Sequence, residues 1–181
     1  SLAIMDVAGA PAQVAVNVKA GDVVTVIGAG KAGLLCLAEA KKRVAPTGTV
    51  ICMEYSKAQC ELVKALGIAD IVIQANGQEP LASYQAYLEA TGGKLADFTV
   101  NTVNVPNTEL SAILVTKDSG KIYFFSMSTD FVKASLGAEG VKKHVSMLIG
   151  NGYYPGHAEI TFDIIRNNRK VREYFVGRYC K

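Results

Sequence analysis

Short apolar runs rich in valine and isoleucine recur at residues 23–27, 50–53, 71–73, 98–100, 122–125 and 145–149. Runs of that length without polar alternation suit strands buried on both faces, as in a parallel sheet. Between them the apolar positions take up helical spacing, with breakers at the ends. Leu34, Leu35, Leu37 and Ala38 lead a first helix that stops before Pro46-Thr47-Gly48, and Ala58, Leu62, Val63 and Leu66 form a second, ended by Gly67. Residues 80–90 predict a third helix closed by Gly92-Gly93, residues 110–115 a fourth closed by a turn at Asp118-Ser119-Gly120, and residues 130–136 a fifth. Six strands alternating with five helices predict an α/β fold: a doubly wound, parallel six-stranded sheet with right-handed crossovers that place helices on both faces.

The two ends fall outside this rhythm. Residues 1–20 are rich in alanine and valine and predict a leading helix before the turn at Ala20-Gly21-Asp22. After Gly152, residues 157–179 predict one helix started behind Pro155-Gly156, with Ile160, Ile164 and Ile165 on one face. The expected division is a lead-in segment at 1–20, the sheet domain at 21–152 and a terminal helical segment at 153–181. The opening Ser1-Leu2-Ala3-Ile4-Met5 carries no initiator methionine, and the expectation is that residues once preceded it.

Composition narrows the class. With 181 residues, 50% hydrophobic and 19% charged, the chain suits one domain with a sizeable core. No stretch approaches the ~20 apolar residues that cross a bilayer, so no membrane partner is expected. The net charge is only +3, with basic residues scattered apart from a cluster at 166–181, which leaves no footprint for a nucleic acid. Cys36, Cys52, Cys60 and Cys180 form no Cys-x-x-Cys pair and follow no signal peptide. They read as buried thiols in a reducing cytoplasm, neither disulfides nor a zinc site.

The strongest chemical signal is Gly28-Ala29-Gly30-Lys31-Ala32-Gly33, directly after the first strand and opening the first helix. In that context the first glycine allows a tight turn, the second lets backbone approach a pyrophosphate, and the third lets helix and strand pack closely. Unpaired N–H groups and the helix dipole then favour a diphosphate. Glu54 ends the second strand, 54 − 33 = 21 residues beyond Gly33. That is the spacing of the acid that accepts hydrogen bonds from an adenosine ribose. A carboxylate there repels a 2′-phosphate, so the motif predicts a Rossmann-type domain that binds NAD, with NADP less favoured; Lys31 and Lys57 are nearby cations that would soften the preference. Tyr55 follows Glu54 at the same strand end.

In such a sheet the ligand lies at the carboxyl ends of the strands, across the crevice between the first and fourth. The nicotinamide half should therefore meet Asn101, Thr102, Val103 and Asn104 after the fourth strand, Ser126, Met127 and Ser128 after the fifth, and Asn151-Gly152 after the sixth. Asparagine and serine also fill loops for turn chemistry alone. His144 and His157 stand in no recognisable acid/base or metal-ligand pattern, and no Walker, zincin or nucleophile-elbow sequence is present. His157-Ala158-Glu159 lacks the cysteine pair a zinc deaminase would need, and suits a helix start. Catalytic residues are left unassigned.

The run from Ala20-Gly21-Asp22 through Val23-Val24-Thr25-Val26-Ile27-Gly28-Ala29-Gly30, then Lys64-Ala65-Leu66-Gly67-Ile68-Ala69-Asp70, is similar to the cofactor domain of medium-chain, alcohol-dehydrogenase-like enzymes. Asp97-Phe98-Thr99-Val100-Asn101 and Gly120-Lys121-Ile122-Tyr123-Phe124 fall where that family has its fourth and fifth strands. The segment 151–159, with Phe162-Asp163-Ile164-Ile165-Arg166 after it, resembles more narrowly an NAD-dependent branch that oxidatively deaminates an amine in lysine fermentation. The resemblance implies a small amino-acid-derived substrate, substrate groups and any zinc ligands on a GroES-like domain ahead of Ser1, and a homodimer paired through the edge strand at 145–149. Two other classes remain open: a non-catalytic sensor of NAD or an adenine nucleotide, and a methyltransferase using S-adenosylmethionine, which also places an acid after its second strand. Another zinc-type alcohol dehydrogenase relative, with a different substrate, is the third alternative.

Overall fold

The apolar runs pair side by side in parallel. In the computed structural model, which describes residues 2–150 and 152–179, they form β1 (Val23–Ile27), β2 (Thr49–Glu54), β3 (Ile71–Gln74), β4 (Ala96–Asn101), β5 (Thr116–Phe124) and β6 (Ser146–Ile149). The strand order is β3-β2-β1-β4-β5-β6. The order reverses between β1 and β4, so the chain leaves the sheet in opposite directions there and opens a crevice at the carboxyl ends. Asn151 and Cys180, two residues singled out in the sequence, lie outside the described residues.

Helices cover both faces, as the alternation predicts. A 3-10 turn (Leu2–Val7) leads into α1 (Gly9–Asn17), followed by α2 (Lys31–Val44), α3 (Lys57–Leu66), α4 (Pro80–Thr91), α5 (Glu109–Val115), α6 (Phe131–Gly140), α7 (His157–Asn167) and α8 (Arg169–Tyr179). Along each strand alternate residues serve two separate cores. Val24, Val26, Val50, Cys52, Phe98 and Val100 pack with α1, α2, α3, α7 and α8, whereas Ile27, Ile51, Met53, Ile122 and Phe124 pack with α4, α5 and α6. Period-2 side-chain alternation makes both faces apolar, which is why the strand sequences read as continuous hydrophobic runs.

Two elements differ from expectation. The terminal helix is two helices, because Asn168 leaves the helical region and its side-chain oxygen accepts the Val171 N–H at 3.1 Å, capping a new helix. The residues Asp118, Ser119 and Gly120 do not close a turn after α5; they lie inside β5, whose pairing with β4 shifts between Ala96↔Thr116 and Phe98↔Lys121. Ser119 takes a positive φ of 62°, and its N–H donates to the carbonyl of His144, so the extra residues bulge out of the ladder.

Polar side chains tie the strands at their starts. Asp97 on β4 accepts the Val23 N–H at 2.7 Å and pairs with Lys117, and Asp70 accepts the Val50 N–H at 2.8 Å and pairs with Lys41. Beneath the sheet the buried hydroxyls of Thr25 and Tyr87 meet at 2.9 Å. Cys36, Cys52 and Cys60 are buried free thiols; burial, then the neighbouring carboxylates Glu39 and Glu54, push the first two well above the ordinary thiol range. They are unreactive at neutral pH. No helix of the described residues is long and apolar enough to cross a membrane.

Candidate functional site

The glycine segment joins the carboxyl end of β1 to the amino end of α2, and each glycine has a distinct geometric reason. Gly28 turns with φ +93°, and a Cβ there would lie 2.7 Å from Val103 Cγ2 and 2.8 Å from Thr102 Oγ1. Gly33 is pressed onto the turn itself, since a Cβ would stand 2.0 Å from the Gly28 carbonyl oxygen. Gly30 differs: its φ of −72° suits any residue, and a Cβ would meet nothing within 4 Å. The space above Gly30 is therefore open to the outside. Beside it stand the backbone N–H groups of the first turn of α2, which begins with the Leu34 N–H donating to the Gly30 carbonyl at 2.9 Å.

Glu54 holds this turn from the neighbouring strand. One carboxylate oxygen accepts the Ala29 N–H at 2.6 Å and the other accepts the Ser56 N–H at 2.7 Å. Gln59, on α3, donates its side-chain N–H to the Ala29 carbonyl at 2.9 Å, so both backbone groups of Ala29 are tied to the β2–α3 corner. Each Glu54 oxygen keeps acceptor capacity beyond its single backbone partner. Thr102 closes the far side: its backbone N–H and its hydroxyl both donate to the Ile27 carbonyl, at 2.9 and 3.0 Å.

Together these residues line a cleft of about 580 Å³ at the carboxyl edge of β1, β2, β3 and β4. Gly28, Gly30, Glu54, Tyr55 and Thr102 form part of the wall, and Tyr55 is 72% exposed. The wall also includes Val103 and Asn104, which the motif reading named, and Ala75-Asn76-Gly77-Gln78 after β3 and Val105, which it passed over. The turn-forming pair Asn76-Gly77 at a strand end was the available signal for the β3 loop.

The remaining sequence candidates sit as follows. Ala29 and Ala32 are buried and can offer only backbone to the cleft. Lys31, the first residue of α2, reaches away to Asp6, with Nζ 2.8 and 2.7 Å from the two carboxylate oxygens, and lies 5.6 Å from the Tyr179 ring centre. Asn101 is 1% exposed; it donates to Thr108 Oγ1 at 2.8 Å and accepts the Val103 N–H at 3.2 Å. It shapes the 102–108 loop from inside. Ser126 is buried, donating to Asn104 Oδ1 at 3.3 Å and accepting the Ser128 N–H at 3.1 Å, while Met127 beside it is 91% exposed. His157 stacks edge-on against Tyr153 at 5.1 Å, outside this cleft. Among the described residues no group of three or more His, Cys, Asp or Glu is placed to hold a metal.

A carboxylate-braced glycine turn, an open position over a helix N-terminus and a long cleft at the topological switch point form a receptacle for an extended anionic ligand. No family model matches the chain. It is 51% identical over 181 residues to L-erythro-3,5-diaminohexanoate dehydrogenase of Acetoanaerobium sticklandii, covering 99% of this chain and 52% of that protein. It is 47% identical over 176 residues to the protein of the same name from Fusobacterium nucleatum subsp. nucleatum, covering 97% of this chain and 51% of that protein. The chain thus spans about half the length of the curated relatives it matches. Among solved structures, an alcohol dehydrogenase from Thermotoga maritima superposes with a TM-score of 0.70 at 21% identity, over 96% of this chain and 48% of that one. The fold is that of a domain found in alcohol dehydrogenases.

Proposed function

We propose that the cleft binds a nicotinamide dinucleotide, NAD in preference to NADP, and that the chain is the cofactor-binding part of a dehydrogenase that oxidatively deaminates L-erythro-3,5-diaminohexanoate. The substrate follows from the relatives, which are 51% and 47% identical to this chain over the half of their length that it spans and carry that name. The cofactor follows from the site. The observation that carries it is the combination of open space over Gly30 with the Glu54 carboxylate bonded to the same turn.

Each residue then has a task. The N–H groups at the start of α2 donate to the diphosphate, and Gly30 keeps that approach free of side-chain atoms. Glu54 turns its remaining acceptor capacity to the ribose hydroxyls; because its charge would oppose a 2′-phosphate, it favours NAD. Tyr55 and the Ala75–Gln78 loop flank the adenine end. Thr102 and Val103 lead toward the nicotinamide, with Ser126 and Met127 at the end of β5 beyond them. Asn101 and Gln59 position the loops without touching the ligand. The bound cofactor supplies the hydride acceptor for an amine-bearing carbon. In the working enzyme the free edge of β6, with Ile149 exposed, is the surface at which two copies would pair.

The direct test is calorimetric titration of the 181-residue chain with NAD and NADP, repeated with Glu54→Ala. The proposal expects NAD to bind more tightly than NADP, and the substitution to weaken NAD and narrow the gap. Equal weak binding of both in the native chain, unchanged by the substitution, would overturn it.

A further inference from the structure

A second cavity, of about 330 Å³, lies where the starts of α4 and α5 meet α6. Its wall shares only Gln78 with the cleft described above. That side chain donates to the Pro106 carbonyl at 3.0 Å, so a loop-to-loop bridge stands between the two spaces. The unusual residue in the wall is Glu109, which is 2% exposed. Its one hydrogen bond among the described residues comes from the Asp130 N–H to Oε1 at 2.8 Å, which leaves the other carboxylate oxygen without a partner. The other buried carboxylate, Glu39, differs, because Arg43 pairs with it at 2.6 Å. A carboxylate taken out of water is costly unless a cation reaches it.

The cation in the same cavity does not supply that charge. Lys133, on α6, turns its ammonium group to Asn107 Oδ1 at 2.5 Å. Two of its three donors remain, as does the Asn107 side-chain N–H2. The cavity thus holds a carboxylate and an ammonium group that are not joined to each other, with the apolar Pro80 and Leu110 beside them. Its volume lies at the lower end of the ~300–1,000 Å³ of small-molecule sites, too small for a dinucleotide. Opposite charges that face one space separately suit a ligand carrying the complementary pair. We propose that this cavity binds a small amino-acid zwitterion, whose ammonium group donates to Glu109 and whose carboxylate accepts from Lys133 and Asn107. Pro80 and Leu110 pack along its aliphatic carbons. The site is separate from the glycine-turn cleft, and it stands whether or not that cleft binds a dinucleotide.

The test is a set of amide spectra of the isotope-labelled chain, titrated with L-alanine, 3-aminobutanoate and 5-aminopentanoate, whose charged groups stand successively further apart. Butylamine and butanoate, with one charge each, are the controls. At least one zwitterion is expected to saturate in the millimolar range, moving the resonances of Asn107, Glu109, Leu110 and Lys133 and leaving those of Gly28 and Gly30 in place. Each control should bind at least about tenfold more weakly, for want of one charge-assisted contact. Glu109→Gln keeps an acceptor for the Asp130 N–H while removing the charge, and should weaken the zwitterion about tenfold or more. Lys133→Met changes an exposed side chain outside the core, so it reads the site even if the Glu109 variant does not fold. It should weaken the zwitterion about tenfold and leave the weak binding of butylamine unchanged. If no zwitterion moves those resonances, if butylamine binds as tightly as the best zwitterion, or if Lys133→Met binds like the native chain, the proposal is overturned.

Discussion

Gly30→Ala separates a glycine kept for the fold from one kept for a ligand. In the free protein the added methyl group meets nothing within 4 Å, and the backbone at φ −72°, ψ −168° is one that alanine adopts readily. Alanine is a poorer helix cap than glycine but restricts the unfolded chain more, and the two effects oppose each other to within about 1 kcal/mol. Gly33→Ala is the contrast. Its methyl group would lie 2.0 Å from the Gly28 carbonyl oxygen and 3.2 Å from Thr102 Oγ1. Backbone must move there, at a cost of about 1–3 kcal/mol or more. For binding, the order of the two variants reverses in meaning. The Gly30 methyl group occupies the approach to the α2 N–H groups, and holding a phosphate out of reach of one charge-assisted hydrogen bond costs about 1.5–3 kcal/mol, roughly 10- to 100-fold in affinity. Urea unfolding and calorimetric titration with NAD on each variant give the two numbers. A Gly30→Ala protein with native stability and native NAD affinity would refute the reasoning, because the open space would then be open to nothing.

Three further outcomes follow from the same geometry. Tyr87→Phe leaves the Thr25 hydroxyl buried without its 2.9 Å partner and should cost about 1–3 kcal/mol of unfolding free energy in urea, with no change in nucleotide affinity; a neutral result would show that Thr25 finds another acceptor. Burial alone would raise the Asp97 carboxyl, but Lys117 and the Val23 N–H hold it below the usual carboxylate range. Its stabilising contribution is therefore complete above the unfolded value near ~3.9 and is lost as pH falls through the lower folded value. Asp97→Asn should cost up to about 1 kcal/mol at neutral pH and flatten the acid limb below about pH 4, read by urea unfolding from neutral pH downward; an unchanged acid limb would remove Asp97 from the account. The Lys143 ammonium donates to the carbonyls of Ile113, Leu114 and Thr116 at the end of α5, and burial pushes its pKa down. Lys143→Met should destabilise by about 1–2 kcal/mol through loss of that cap, and an equally stable variant would mean water replaces it.

Much of the fold was legible because it rests on local patterns. Continuous apolar runs located β1 to β6, and Gly67, in the left-handed region at φ +69°, ended α3 where its sequence said it would. The β1 turn could be read to the residue, since Gly28 and Gly33 each answer to a steric demand that no other side chain meets. What stayed hidden depends on contacts distant in sequence. The bulge in β5 arises where Ser119 bonds to His144, and the end of α7 arises where Asn168 can cap a new helix, a choice that periodicity alone does not reveal. At the site, spacing pointed to Glu54 but not to its two backbone bonds, nor to Gln59, which faces Ala29 only once α3 is folded back on β2. Asn101 shows the opposite case. It occupies a strand end of the right kind, yet Thr108 and Val103 use its polar atoms within the protein. The loop after β3 joins the cleft because β3 lies beside β2 in the sheet.

The most direct test of the central claim is a two-dimensional amide spectrum of the isotope-labelled chain during titration with NAD. Binding in the cleft at the β1–β4 switch point predicts that the resonances of Gly28, Gly30, Lys31 and Ala32 move first and furthest, with Tyr55 and Gly77 following, while those around Asn167, at the end of α7, stay in place. A spectrum that is unchanged at millimolar NAD, or one whose changes cluster away from the glycine turn, would contradict it.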